Sequence, residues 1–157
     1  MRQQKKTVEL LMQLRKDGRQ QLTDISRKIN VPVSTLFDRV RISRGDLITR
    51  FTCLLDFQKV GFGCRAQMVF RVKKSDRDEM QMFLLKHPNV NSVYKINNGY
   101  DFLVEAVFRE LKGVDEFVEK VDERYGVLEK KVYYIISDLG REMFLTDLVH
   151  AEMVGML

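Results

Sequence analysis

The stretch Leu22–Arg41, LTDISRKINVPVSTLFDRVR, holds the residue types and spacing with the most specific chemistry in the chain. On a 3.6-residue period Val33, Leu36, Phe37 and Val40 share one narrow face. Ser34, Thr35 and Asp38 then point the opposite way, with Arg39 and Arg41 on the flanks. Hydroxyls donate and accept, and a guanidinium presents a planar fork of donors. Such a front suits base edges and phosphates in a DNA major groove. Arg27, Lys28 and Arg44 border the same surface and are placed for phosphates. The same pattern also fits two core helices of a bundle, and spacing alone leaves both readings open. Nothing else in the chain forms a chemical constellation. His87 and His150 lie in apolar or helix-end contexts, and Cys53 and Cys64 have no CxxC spacing. The expectation is therefore no catalytic residue, no metal, no cofactor and no disulfide scaffold, with two buried thiols in a reducing cytoplasm.

Several elements must position that front. Leu22, Ile25 and Ile29 form the buried side of the preceding helix, and Ser26 is small where crossing helices approach closely. Asn30 tolerates the left-handed turn conformation, and Pro32 sets the backbone entering the second helix. A first helix spans Lys5 to Lys16, with Val8, Leu11, Met12 and Arg15 on one face widened by Leu10 and Leu14. Asp17-Gly18 ends it. Residues 1–50 hold twelve Lys and Arg against five Asp and Glu, and the remainder holds fifteen against seventeen. The positive surplus lies wholly in the helix-turn-helix part. This favours a polyanion partner there and tips the balance toward double-stranded DNA.

Beyond Arg41 the pattern changes. Arg44-Gly45-Asp46 is a turn, and Leu47 to Phe57 has the composition of a strand joining two parts. Cys64 to Val72 alternates, placing Ala66, Met68, Phe70 and Val72 on one side. Ser75 is positioned to cap a helix that presents Met80, Phe83 and Leu84 and stops before Pro88. Strands follow over Val90–Ile96 and Asp101–Phe108, separated by Asn97-Asn98-Gly99. A helix over Leu111–Tyr125 aligns Val114, Phe117, Val118 and Val121, and a last strand covers Val127–Ile136. The fold class is α+β: an N-terminal helix-turn-helix domain (1–46), a connecting strand (47–60) and a ferredoxin-like βαββαβ domain with a C-terminal tail (61–157). The sheet face away from its helices is too apolar for water, which predicts sheet-to-sheet homodimerisation. Phe144, Leu145, Leu148, Val149 and Met153 space out one helical face in the tail, to pack on its own domain or between dimers. No run is apolar enough to span a membrane, and a cytoplasmic protein is expected.

The chain to about residue 140 resembles the Lrp/AsnC family, the feast/famine regulators of transcription. VPVSTLFDRVR at 31–41 is similar to the family's recognition helix, and VNSVYKINNGYDFL at 90–103 to its strand, Gly-containing loop and Asp. The resemblance implies that Ser34, Thr35, Arg39 and Arg41 contact bases or phosphates. It also implies that dimers associate into an octamer or open helical array, and that an amino-acid effector binds the loop of Asn98, Gly99, Tyr100 and Asp101. The loop departs from the family pattern. Asn98 stands where Gly is usual and Gly99 where an acidic residue is usual. Asp101 is equally suited to holding an effector or to tying down the turn. The implied function is sequence-specific regulation of transcription controlled by an amino acid or related effector. The alternative is an architectural DNA-binding protein with no effector.

Overall fold

The computed structural model describes residues 2–157. They group into two units, one comprising the chain through Leu54 together with Leu139–Leu157, the other Leu55–Asp138.

The helical unit contains α1 (Arg2–Lys16), α2 (Leu22–Ile29), α3 (Val33–Ser43) and, from the tail, α6 (Leu148–Met153). Asn30 closes α2 at φ 53°, ψ 58°, with its N–H donating to the Ser26 carbonyl. Pro32 precedes the first turn of α3, and its carbonyl accepts from the Leu36 N–H at 3.1 Å. Leu10, Ile25, Ile29, Val31 and Leu36 form a core, edged by Leu14, Leu22 and Val40. A second cluster lies on α1, where Val8 and Met12 are buried with Ala151 against Leu145 and Leu157. Arg15 fastens the tail further. Its Nε donates to the Phe144 carbonyl at 2.6 Å, and its Nη2 donates to the Glu142 carboxylate at 2.9 Å.

The other unit is built on β1 (Cys64–Val72), α4 (Arg77–Lys86), β2 (Val90–Lys95), β3 (Phe102–Phe108), α5 (Leu111–Arg124) and β4 (Val127–Tyr134). The four strands form an antiparallel sheet in the order β2-β3-β1-β4, the ferredoxin-like arrangement. Ala66, Met68, Phe70 and Val72 of β1 and Phe102, Val104, Ala106 and Phe108 of β3 point to α4 and α5. They join Met80, Leu84, Val114, Phe117, Val118 and Val121 in one core. The other sheet face presents Val69, Leu103 and Val107 among Arg65, Gln67 and Glu105, with the more exposed Tyr94 and Tyr133 at its margins.

Several expectations are corrected. Leu47–Phe57 is not a strand in the single chain. Its one ladder contact is the Arg44–Ile48 bridge, and Leu47, Phe51, Leu54 and Leu55 are exposed. A strand needs a neighbour to take its backbone hydrogen bonds along its whole length, whereas this segment shows that one bridge and a turn in which the Phe62 N–H donates to the Phe57 carbonyl at 2.9 Å. Phe37 does not join Leu36 on the inner face of α3. It is 60% exposed, and Val33 is 40% exposed. Ser75 does not cap α4, because a 3-10 turn over Lys74–Asp76 comes first and its hydroxyl instead donates to the Asp76 carboxylate at 2.6 Å. Neither thiol is buried: Cys53 is exposed and Cys64 half-buried. The tail helix is shorter than its apolar spacing predicts. It buries Ala151, while Phe144, Leu148, Val149 and Met153 remain exposed. The contact with Val8 and Met12 is made by Ala151, with Leu145 and Leu157 packed at its edge.

Removing residues 139–157 uncovers Val8 and Met12. Full burial of two such side chains contributes on the order of 3–6 kcal/mol. The truncated chain is expected to lose amide-exchange protection along α1 while β1 keeps its protection. Unchanged protection of α1 would show that the tail contributes nothing to the helical unit.

Candidate nucleic-acid interface and effector loop

The rotation of α3 about its axis decides which side chains face outward. Leu36 is fully buried, Val40 is half-buried and Ser43 is 5% exposed, so these three define the inner side. Val33, Ser34, Phe37, Asp38 and Arg41 lie outward. The Arg41 side chain is 70% exposed and pairs with the Asp38 carboxylate at 3.0 Å. This is an (i, i+3) pair at a surface, worth little in water and easily exchanged for a phosphate or base.

The other residues expected at the interface separate into two groups. Ser34, Arg27, Lys28 and Arg44 are exposed. Arg27 pairs loosely with Asp24 at 3.4 Å, and the Arg44 guanidinium lies 5.4 Å over the Phe51 ring. Thr35 and Arg39 are half-buried on the side toward α1, and Arg39 Nη1 donates to the Thr7 hydroxyl at 3.4 Å. Arg39 thus has a structural partner within its own unit, which the helical period could not disclose. Phe37 and Val33 are surface residues of this helix that sequence reasoning assigned to the core. The helical period groups all four, and only the packing of Leu36 and Val40 into the core decides which of them lie inside.

In the sheet unit, Asn98 (φ 62°) and Gly99 (φ 89°) make the turn between β2 and β3. Asn therefore does adopt the left-handed conformation at a position where the family commonly has Gly, as its short polar side chain allows. The Ile96 N–H donates to the Asp101 carbonyl at 3.0 Å, closing the hairpin. Asn98 and Gly99 are exposed, Tyr100 is half-buried and Asp101 is 9% exposed.

Both Asp101 oxygens are engaged. Oδ2 accepts from the Val72 N–H at 2.9 Å, and Oδ1 pairs with Arg77 Nε at 2.8 Å. The Asp101 N–H in turn donates to the Phe70 carbonyl at 2.8 Å. One carboxylate therefore ties the end of β1, the start of α4 and the hairpin loop together. This geometry favours the structural reading of Asp101.

The neighbouring chemistry comes from β4 and β1. The Tyr100 hydroxyl donates to the Glu129 carboxylate, Arg71 pairs with Glu129 at 3.2 Å, and Lys131 Nζ lies 5.4 Å over the Tyr100 ring. The Tyr100 hydrogen bond, with Arg71 and Lys131 adding to it, holds the Glu129 carboxyl below the usual range. Glu129, Arg71, Lys131 and Arg77 were not singled out by the sequence. Their convergence rests on the Arg71–Glu129 register of β1 with β4, which the order of elements does not specify.

Among the described residues no group of three or more His, Cys, Asp or Glu is placed to hold a metal ion, and no helix is long and apolar enough to cross a membrane.

Comparison with known proteins defines the class. The model of the Lrp/AsnC ligand binding domain matches residues 66–143. The chain is 28% identical over 141 residues to an HTH-type transcriptional regulator of Pyrococcus abyssi, covering 89% of this chain and 93% of that one. It is 27% identical over 124 residues to the regulator FL11 of Pyrococcus furiosus, covering 78% and 80%. Two solved structures share the fold. LrpC of B. subtilis has TM-score 0.78 and 21% identity, covering 86% of this chain and 95% of that one. A regulator of Neisseria meningitidis in complex with L-Met has TM-score 0.78 and 18% identity, covering 87% and 91%. The protein is a helix-turn-helix transcriptional regulator and not an enzyme. It belongs to the Lrp/AsnC family.

Asp101→Ala leaves the Val72 N–H without its acceptor and Arg77 without its partner. The expected cost is about 2 kcal/mol, the scale of a hydrogen bond to a charged group. Arg77→Ala, whose side chain is 44% exposed, is expected to cost clearly less. Denaturant melts of the two variants test this, and equal losses would argue against the tie through Val72.

Proposed function

We propose that this chain acts in the cytoplasm on specific sites in double-stranded DNA, as a homodimer that assembles into a larger homo-oligomer. An amino acid or related small effector shifts that assembly. The observation that carries the reading is the outward face of α3. It offers Ser34 and Arg41, with Arg27 and Lys28 exposed on α2, in a part of the chain where Lys and Arg outnumber Asp and Glu by twelve to five. Two copies related by a twofold axis would set two such helices about 34 Å apart, on successive major grooves, and select a pseudo-palindromic site. The partly buried Val69, Leu103 and Val107 on the outer sheet face, among Arg65, Gln67 and Glu105, support pairing of copies. So do the exposed apolar side chains of Leu47, Phe51, Leu54 and Leu55.

Effector control is supported by the matched ligand binding domain and by the mixed charges beside the loop. An amino acid carries an ammonium and a carboxylate, and Glu129 with Arg71 and Lys131 offers partners of both signs. A second reading, a DNA-organising protein with no effector, is favoured by the absence of an acidic side chain at position 99 and by the engagement of both Asp101 oxygens.

Binding to duplex over single strands is expected to fall steeply with salt. Lys28→Ala should weaken all sites alike and reduce the salt slope by about one unit, whereas Arg41→Ala should cost about 1–3 kcal/mol and relax one position of the selected site. A salt-insensitive complex, or preference for single strands, contradicts the DNA reading. Titration of amino acids followed by sedimentation and footprinting separates the two regulatory readings: no change in either points to the effector-free protein.

A further inference from the structure

We infer that Phe37, supported by Val33, is a sequence-reading residue of α3 that recognises thymine by its methyl group. The inference rests on the proposed major-groove docking of this helix and assigns a base class to one of its side chains. Val33, Phe37 and Arg41 follow each other at four-residue intervals, so they form one row along the helix. Their exposures rise along the row: 40% for Val33, 60% for Phe37 and 70% for the Arg41 side chain. Ser34 and Asp38 make the adjacent row, also exposed.

The fold does not require Phe37. The inner side of α3 is already filled by Leu36 and Val40 against Ile25, Ile29, Val31 and Leu10. An aromatic ring flanked by a hydroxyl and a guanidinium, in the basic unit of the chain, needs an apolar partner within a polar, anionic surface. Phosphates offer none, since Phe has no donor. The major-groove edges of A, G and C present nitrogen and oxygen groups, and the thymine C5-methyl is the apolar group of that groove. The Phe37 ring therefore matches thymine, while Arg41, one turn further on, is free to exchange its exposed Asp38 partner for guanine or phosphate. A second copy of the chain is the other surface that could cover the ring. The basic residues around this row argue for DNA, because a like-charged copy would be repelled.

The test uses the full chain and a bound duplex selected from a random pool. Each thymine of the site is replaced in turn by deoxyuridine, which removes only the methyl group. For the wild type, at least one thymine per half-site is expected to show about a fourfold loss of affinity, the value of one methyl-sized group removed from water. In Phe37→Ala the same replacement should change affinity by less than about half that factor, and Phe37→Leu should retain part of the sensitivity. Because Phe37 is exposed, circular dichroism should be unchanged in both variants. Equal deoxyuridine losses in wild type and Phe37→Ala, or none in the wild type, overturn the inference while leaving DNA binding intact. A loss of dimer in sedimentation of Phe37→Ala, with its methyl sensitivity retained, assigns the ring to a second copy and also overturns it. Failure of the wild type to retain any duplex removes the proposed function itself.

Discussion

The burial of Leu36 governs the helical unit. Leu36 has no exposed surface, and it meets Leu10 of α1, Ile25 and Ile29 of α2 and Val31 of the turn. Taking such a side chain out of water stabilises the fold by about 1.5–3 kcal/mol, more than any surface pair on α3 can contribute. That single contact fixes the rotation of α3. Once Leu36 points inward, Val40 one turn on and Ser43 two turns on follow it, and Phe37, about 100° further round, does not. The chemistry of the helix front is thus a consequence of one apolar side chain on its back. Arg39 illustrates the same constraint, since its position beside Val40 brings it within reach of Thr7.

In the sheet unit the corresponding constraint is the pairing of β1 with both β3 and β4. Phe70 pairs with Phe102 on one side and with Lys130 on the other. The first pairing brings Asp101 level with the end of β1, where its carboxylate meets the Val72 N–H. The second brings Glu129 opposite Arg71. A slip of one residue would turn the core residues of β1 outward and dissolve both polar contacts together. The hairpin loop is therefore held by the same register that closes the core.

Much of this was legible in the chain. Alternation over Cys64–Val72 and the run of Val114, Phe117, Val118 and Val121 identify elements because each has one buried face of the right period. Asn30 and Asn98 announce left-handed turns by their type, and both adopt positive φ. What stayed hidden was relational. Periodicity groups Val33, Leu36, Phe37 and Val40, but the arc they cover is wider than the contact available, and only packing decides which edge remains outside. Leu47–Phe57 has strand composition, yet composition cannot supply the partner that a strand requires. Asp101 could be assigned a turn, but Arg77 and the Val72 N–H lie 24 and 29 positions away in the chain and meet it only through topology.

The uneven charge adds a last physical step. The positive surplus sits with the helices, and the rest of the chain has slightly more Asp and Glu than Lys and Arg. A polyanion approaching the molecule therefore meets attraction from the first fifty residues and mild repulsion from the remainder, which orients the encounter before any base is read. Close contact then depends on neutral groups. Phe37 carries neither charge nor donor, so in the proposed docking it responds to base edges alone, whereas the Ser34 hydroxyl can donate to a phosphate or a base edge. On the proposed docking, attraction and discrimination would fall to different side chains of one short helix and its neighbour: Lys28 and Arg27 at range, Phe37 at contact, and Arg41, charged and one turn beyond Phe37, at both steps.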